Sequence, residues 1–260
     1  METINMRNRI DDLFSRKKQG ILSVFYTAGF PNADDTVRIA QELEQAGADL
    51  IEIGIPFSDP IADGPVIQRS NAVAINSGIT LGLIFQQVEA IRKTVQLPVV
   101  LMGYINPVMQ FGVERFVSEC RRTGVDGVIL PDLPVEVYVS QYKEVFERHS
   151  VYVSFLVTPT TSDERIRVLD ELSCGFIYAV AASGTTGVRG SFAPEQHTYF
   201  QRLKDLKLKN PFLIGFGISN QSTFKEACRY GAGAIIGSAF IKVLEDKGQV
   251  SKFIHSVVGK

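Results

Sequence analysis

The chain has 260 residues, with 27 Lys+Arg against 28 Asp+Glu, 3 Cys, 3 His, no Trp and 45% apolar residues. That length and apolar share allow a sizeable core and exclude a disordered chain or a small disulfide scaffold. A net charge of -1 leaves no electrostatic footprint for nucleic acid or an anionic membrane surface.

The first residues, Met1 to Asn5, carry an early acid and no apolar h-region, so no signal peptide is expected and the cytosol is the expected compartment. Met6, Ile10, Leu13 and Phe14 then form an apolar stripe that predicts an N-terminal helix, with Arg16, Lys17 and Lys18 as its solvated end.

Eight short apolar runs follow: Ile21–Tyr26, Leu50–Gly54, Val99–Gly103, Gly127–Pro131, Val151–Val157, Phe176–Ala181, Phe212–Phe216 and Ala234–Gly237. Most intervals between them have helical periodicity, as in Val37, Ala40, Leu43 and Ala46 or Ile166, Leu169 and Leu172. Gly47, Gly124 and Gly231 each stand just before a run, where glycine suits the left-handed residue that ends a helix. Near-continuous apolar strands alternating with helices predict a parallel sheet, and eight strands close a barrel. The expected fold is α/β, a single (βα)8 TIM barrel over residues 1–260 with an extra N-terminal helix. A doubly wound open sheet is the rival, and no G-x-G-x-x-G turn follows the first run.

The uncharged stretch from Thr94 to Val113 is broken by Pro98, Asn106, Pro107 and Gln110, against a membrane span. Cys120, Cys174 and Cys228 lack metal or redox spacing and read as buried thiols. Two connections are long and rich in breakers, 56–65 and 183–190, and both leave strand C-termini, the face where barrel enzymes place their chemistry.

Glu52 lies inside Leu50–Gly54, and a period of two places it on the face opposite Ile51 and Ile53. If the isoleucines meet the helices, Glu52 points into the barrel, where desolvation raises its pKa and suits it to proton transfer near neutral pH. The competing reading is a buried ion pair; no Lys or Arg stands in any of the eight runs. Asp63, on the loop leaving the same strand, can bring a second carboxylate to the mouth, or simply form a turn before Gly64. Asp59 has the weaker case of the two.

Gly215 to Ser219 and Gly237-Ser238 follow the seventh and eighth strands, the usual phosphate cradle of this fold, to which Gly187 can contribute. No strand-end Lys offers a Schiff base, and no cluster of His or carboxylates offers a metal site; His149, His197 and His255 lie in helical or polar stretches. Carbon–carbon cleavage here therefore needs carboxylates and a substrate carrying its own electron sink.

The run Leu50 to Pro60 with Ala62-Asp63-Gly64-Pro65 closely resembles the signature of the tryptophan synthase α subunit. Pro131-Asp132-Leu133-Pro134, Gly184-Thr185-Thr186-Gly187, Gly215 to Ser219 and Gly237-Ser238-Ala239 match further blocks in order. The resemblance implies retro-aldol cleavage of indole-3-glycerol phosphate to indole and glyceraldehyde 3-phosphate. Glu52 would be the general acid/base, Asp63 the partner of the indole N–H, and Thr186 the lid residue positioning Asp63. Gly187, Gly217, Gly237 and Ser238 would hold the phosphate; Phe25, Tyr104, Ile129, Tyr178 and Phe216 would line the indole pocket.

It further implies a β-subunit partner in an α2β2 complex, bearing pyridoxal phosphate, with no cofactor or metal in this chain. Asn106, Pro107, Pro134 and the Asp59 loop would meet that partner. Gly103, Thr185 and Gly233 stand where Thr, Val and Asp are common in the family. The rival functions are another phosphate-binding barrel enzyme, or a non-catalytic regulatory subunit that activates a β partner.

Overall fold

The computed structural model describes residues 8–61, 63–181 and 191–260. The apolar runs become strands β1 (Ile21–Thr27), β2 (Leu50–Gly54), β3 (Val99–Met102), β4 (Gly127–Ile129), β5 (Tyr152–Val153), β6 (Leu156–Val157), β7 (Ile177–Val180), β8 (Phe212–Gly215) and β9 (Gly233–Ile236). Their order is β5-β4-β3-β2-β1-β9-β8-β7-β6, and all neighbours run parallel.

β5 and β6 are two pieces of the single strand expected over 151–157. The Ser154 N–H donates to the Val128 carbonyl at 3.1 Å, and the Tyr178 N–H donates to the Phe155 carbonyl at 3.0 Å. This segment therefore joins both ends of the sheet and closes it into a barrel. The ladder is interrupted because the Phe155 N–H is diverted to Ser173 Oγ at 3.1 Å.

Alternation sorts the side chains into two cores. Leu22, Val24, Tyr26, Ile51 and Ile53 pack outward under the helices, whereas Ile21, Leu50, Val100, Ile129, Tyr178, Leu213 and Ile235 fill the interior. The helix Arg9–Arg16 closes the end where the strands begin, adding Ile10, Leu13 and Phe14 to that interior core; Met6 lies outside the described residues. Burying each of these three stabilises the fold by about 1.5–3 kcal/mol.

Polar contacts pin this helix. The Asn8 side chain caps it by accepting from the Ile10 N–H at 2.9 Å and donates to the Asp126 carbonyl at 2.8 Å. Arg9 reaches the Asp126 carboxylate at 3.0 Å, where the buried Arg92 also binds. Lys17 is not merely solvated, since it pairs with Asp49 at 2.6 Å.

Gly47 and Gly124 take the left-handed conformation at helix ends, with φ of 92° and 88°. Gly231 does not: its backbone is extended, and glycine is needed there for space, since a Cβ would stand 2.8 Å from the Phe212 carbonyl oxygen. Of the three cysteines Cys120 is buried, while Cys174 and Cys228 are half-buried rather than fully enclosed. No helix among the described residues is long and apolar enough to cross a membrane.

Candidate active site

Glu52 sits two residues before the C-terminal end of β2 and is fully buried. Its outward neighbours Ile51 and Ile53 are in the helix-facing core, so the carboxylate points into the barrel as the period of two predicts. Ser23 on β1 donates its hydroxyl to Glu52 Oε1 at 2.7 Å. The other oxygen, Oε2, is buried with no hydrogen-bond partner. Burial pushes the pKa of Glu52 up to about 7, against the hydrogen bond from Ser23, which favours the ionised form.

Asp63 lies on the loop leaving β2, just before the helix Pro65–Asn76. Burial raises its pKa to about 6, opposed by hydrogen bonds from the side chains of Asn71 and Tyr104. Asn71 belongs to that helix and is buried. Its neighbour Ser70 shares a 2.6 Å hydrogen bond with Thr27 at the end of β1, which fixes the helix against the barrel. Tyr178 on β7 faces both carboxylates, and burial followed by their negative charge raises its hydroxyl pKa.

Phe25 on β1 stands in register with Glu52 on β2. Phe25, Tyr104, Ile129 and Tyr178 are buried, and the Tyr178 and Phe216 rings meet edge to face at 6.2 Å. Small residues make that wall possible. A Cβ on Gly54 would fall 2.5 Å from Phe25 Cζ, and one on Gly215 would fall 2.3 Å from the Tyr178 hydroxyl oxygen.

Beyond β8, Phe216 and Gly217 have φ of 67° and 81°. Such a left-handed pair turns the backbone sharply, and a non-glycine residue there carries strain of the kind found at functional sites. Gly237 precedes the helix Ser238–Glu245, whose first-turn N–H groups have no partner within the helix and suit an anion. Thr186 and Gly187 lie outside the described residues, as does Thr185.

Two of the noted departures have local causes. A Cβ at Gly103 would stand 2.8 Å from the Cβ of Ile55, and one at Gly233 would stand 2.0 Å from the Ile21 carbonyl oxygen. Position 233 therefore has no room for an Asp, because β1 and β9 approach too closely. Among the described residues no group of three or more His, Cys, Asp or Glu could hold a metal ion. His197 instead packs between helices, bonded to Glu226 at 2.9 Å and to the Tyr230 hydroxyl at 3.0 Å.

Ser23 and Asn71 were not singled out from sequence. Ser23 had a readable signal: it is the one polar residue on the inward face ahead of Phe25 in an otherwise apolar run.

The family model for the tryptophan synthase alpha chain matches residues 12–257. The chain belongs to the tryptophan synthase alpha chain family. It is 51% identical to the tryptophan synthase alpha chain of Flavobacterium psychrophilum over 252 residues, covering 96% of this chain and 99% of that one. The alpha chain of Flavobacterium johnsoniae is 50% identical with the same coverage.

Among solved structures, the alpha subunit from Pyrococcus furiosus superposes with a TM-score of 0.85 at 34% identity, covering 94% of this chain and all of that one. A structure of Mycobacterium tuberculosis tryptophan synthase gives a TM-score of 0.88 at 29% identity, with 97% of each chain covered. The solved tryptophan synthase structures share this chain's fold over nearly its whole length.

Proposed function

We propose that the chain cleaves indole-3-glycerol phosphate to indole and glyceraldehyde 3-phosphate as the α subunit of tryptophan synthase, with Glu52 and Asp63 as its catalytic residues. The observation that carries this reading is Glu52: a fully buried carboxyl with a pKa of about 7 and one unpartnered oxygen, with Tyr178 facing both it and the half-buried carboxyl of Asp63. Groups that both give and take protons work best when their pKa lies near the operating pH.

Protonated Glu52 delivers its proton to C3 of the indole ring, and the nitrogen lone pair moves into the ring to leave an iminium. Ionised Asp63 accepts a hydrogen bond from the N–H and stabilises the positive charge developing there. Glu52, now a carboxylate, takes the proton of the hydroxyl on the carbon attached to C3. The carbon–carbon bond breaks, its electron pair restores the indole, and an aldehyde forms on the departing glycerol phosphate. Glu52 ends the cycle protonated, as it began.

Phe25, Tyr104, Ile129, Tyr178 and Phe216 would wall in the apolar ring and exclude water. Gly217, Gly237 and Ser238, with Gly187, would hold the phosphate through backbone N–H groups and the helix N-terminus. Thr186 would position Asp63. This chemistry needs neither a metal nor a cofactor in this chain, and one barrel domain carries it.

The product indole would pass to a β subunit bearing pyridoxal phosphate in an α2β2 complex in the cytosol. A docking surface of the right kind lies at the strand C-terminal face: Ile61 is 86% exposed on the loop after β2 and Met109 is 56% exposed on the helix Ile105–Phe111. Asp132 fixes this helix by accepting from the Ile105 N–H at 2.9 Å. A cleft of about 330 Å³ beside it has a mixed lining that includes Ile55, Thr80, Leu81, Pro107, Gln110 and Phe111.

The test is indole release from indole-3-glycerol phosphate by the purified chain, with and without a β subunit. Slow release alone and faster release in the complex support the reading. No release in either condition would favour a regulatory subunit that only activates its partner.

A further inference from the structure

We propose that Ser23 is a positioning residue for the carbon–carbon cleavage, anchoring Glu52 Oε1 so that Oε2 alone performs both proton transfers. This rests on the role given to Glu52 above and assigns the chemistry to one of its two oxygens. The geometry is specific. Ser23 and Glu52 are both fully buried, on adjacent strands whose register pairs Phe25, two residues beyond Ser23 on the same face, with Glu52. The Ser23 hydroxyl meets Oε1 at 2.7 Å, while Oε2 has no partner.

A carboxyl with two free oxygens can rotate about its last bond and present either one, a terminal torsion with broad preferences. One donated hydrogen bond removes that freedom, fixes the plane of the group and leaves a single oxygen for the substrate. Both steps use the same carboxyl in turn, first as acid and then as base. An anchored plane keeps Oε2 aimed as the proton leaves and returns, which is the positional economy that catalysis requires.

Among the described residues Tyr178 on β7 faces Glu52, and it also faces Asp63 on the loop after β2. Neither supplies a positive charge. Ser23 is therefore the group that favours the ionised form of Glu52, opposing burial. Its loss should change both the aim of the carboxyl and the pH at which it gives up its proton.

The experiment compares wild type, Ser23→Ala, Ser23→Thr and Glu52→Gln in steady-state indole release across pH, with folding checked by thermal unfolding. Ser23→Ala should lower kcat about ten-fold with little change in KM, and should move the alkaline limb of the profile upward by about one pH unit. Ser23→Thr, which keeps the hydroxyl, should restore both. An unchanged profile in Ser23→Ala overturns the proposal, and so do equal losses in the Ala and Thr variants, which would assign the effect to strand packing. Activity remaining in Glu52→Gln would instead defeat the underlying role of Glu52, so the two failures are distinguishable.

Discussion

The ring of Phe25 lies across Gly54, so close that a Cβ at position 54 would fall 2.5 Å from Phe25 Cζ. Gly54 stands two residues after Glu52 on the same inward face, and the missing side chain is what lets an aromatic ring share the barrel mouth with the carboxyl. Gly54→Ala should push the ring toward the substrate. KM for indole-3-glycerol phosphate should rise about ten-fold or more, and overpacking should cost about 1–3 kcal/mol of stability. Parallel kinetics and urea unfolding check both parts.

The pH dependence follows from the two carboxyls. In the proposed mechanism Asp63 must be ionised to hold the indole N–H, and its pKa is raised to about 6; Glu52 must begin protonated, and its pKa is raised to about 7. The profile of kcat/KM should be a narrow bell, rising as Asp63 loses its proton and falling as Glu52 does. A profile flat from pH 5 to 9 would be inconsistent with these roles.

Glu52 should also cost stability. Folding raises its pKa from the ordinary value of about 4.3 to about 7. Between these values the native state binds more protons than the unfolded chain, so stability falls as pH rises through that window and stays low above it. Glu52→Gln removes the buried charge and should be more stable than wild type by about 1–3 kcal/mol at pH 8, with little difference at pH 4. Chemical denaturation at the two pH values measures this.

At the opposite end of the barrel, Arg92 and Asp126 are 10% and 4% exposed, and Asp126 also accepts from the Val99 N–H at 2.8 Å. Burial lowers the pKa of Arg92 to about 10, its charge being retained by Asp126. Arg92→Ala should remove the more buried of the two arginines on Asp126, leaving Arg9 and the Val99 N–H, and cost about 3 kcal/mol, read as a lower urea midpoint.

Met109 tests the docking surface without touching the carboxyls. Met109→Glu should weaken association with the β subunit about ten-fold or more, through a charge buried in an apolar contact. Titration of the variant against a fixed amount of β subunit, followed by indole release, gives the shift.

Much of this was legible in the sequence, for identifiable reasons. Eight apolar runs with helical intervals specify a barrel because alternation has a period that residues alone reveal. Glu52 stood out because a charge inside such a run is costly without a purpose. Ser23 was harder to read, since a serine in a strand has many uses and only the register of β1 against β2 brings it to Glu52. Asn71 reaches Asp63 from the following helix, a contact set by loop geometry rather than spacing. Gly231 does stand at a junction, but the close approach of the Phe212 carbonyl, not a left-handed turn, excludes a side chain there. Thr186 and Gly187 fall outside the described residues, so their roles rest on the resemblance.

In the proposed mechanism one buried carboxyl, Glu52, carries the proton to and from the substrate. Single-turnover release of indole by Glu52→Gln, in complex with a β subunit at pH 7, addresses it most directly. The expected rate is about 10³-fold or more below wild type in a folded protein, as loss of both acid and base roles requires. Release within about ten-fold of wild type would contradict it.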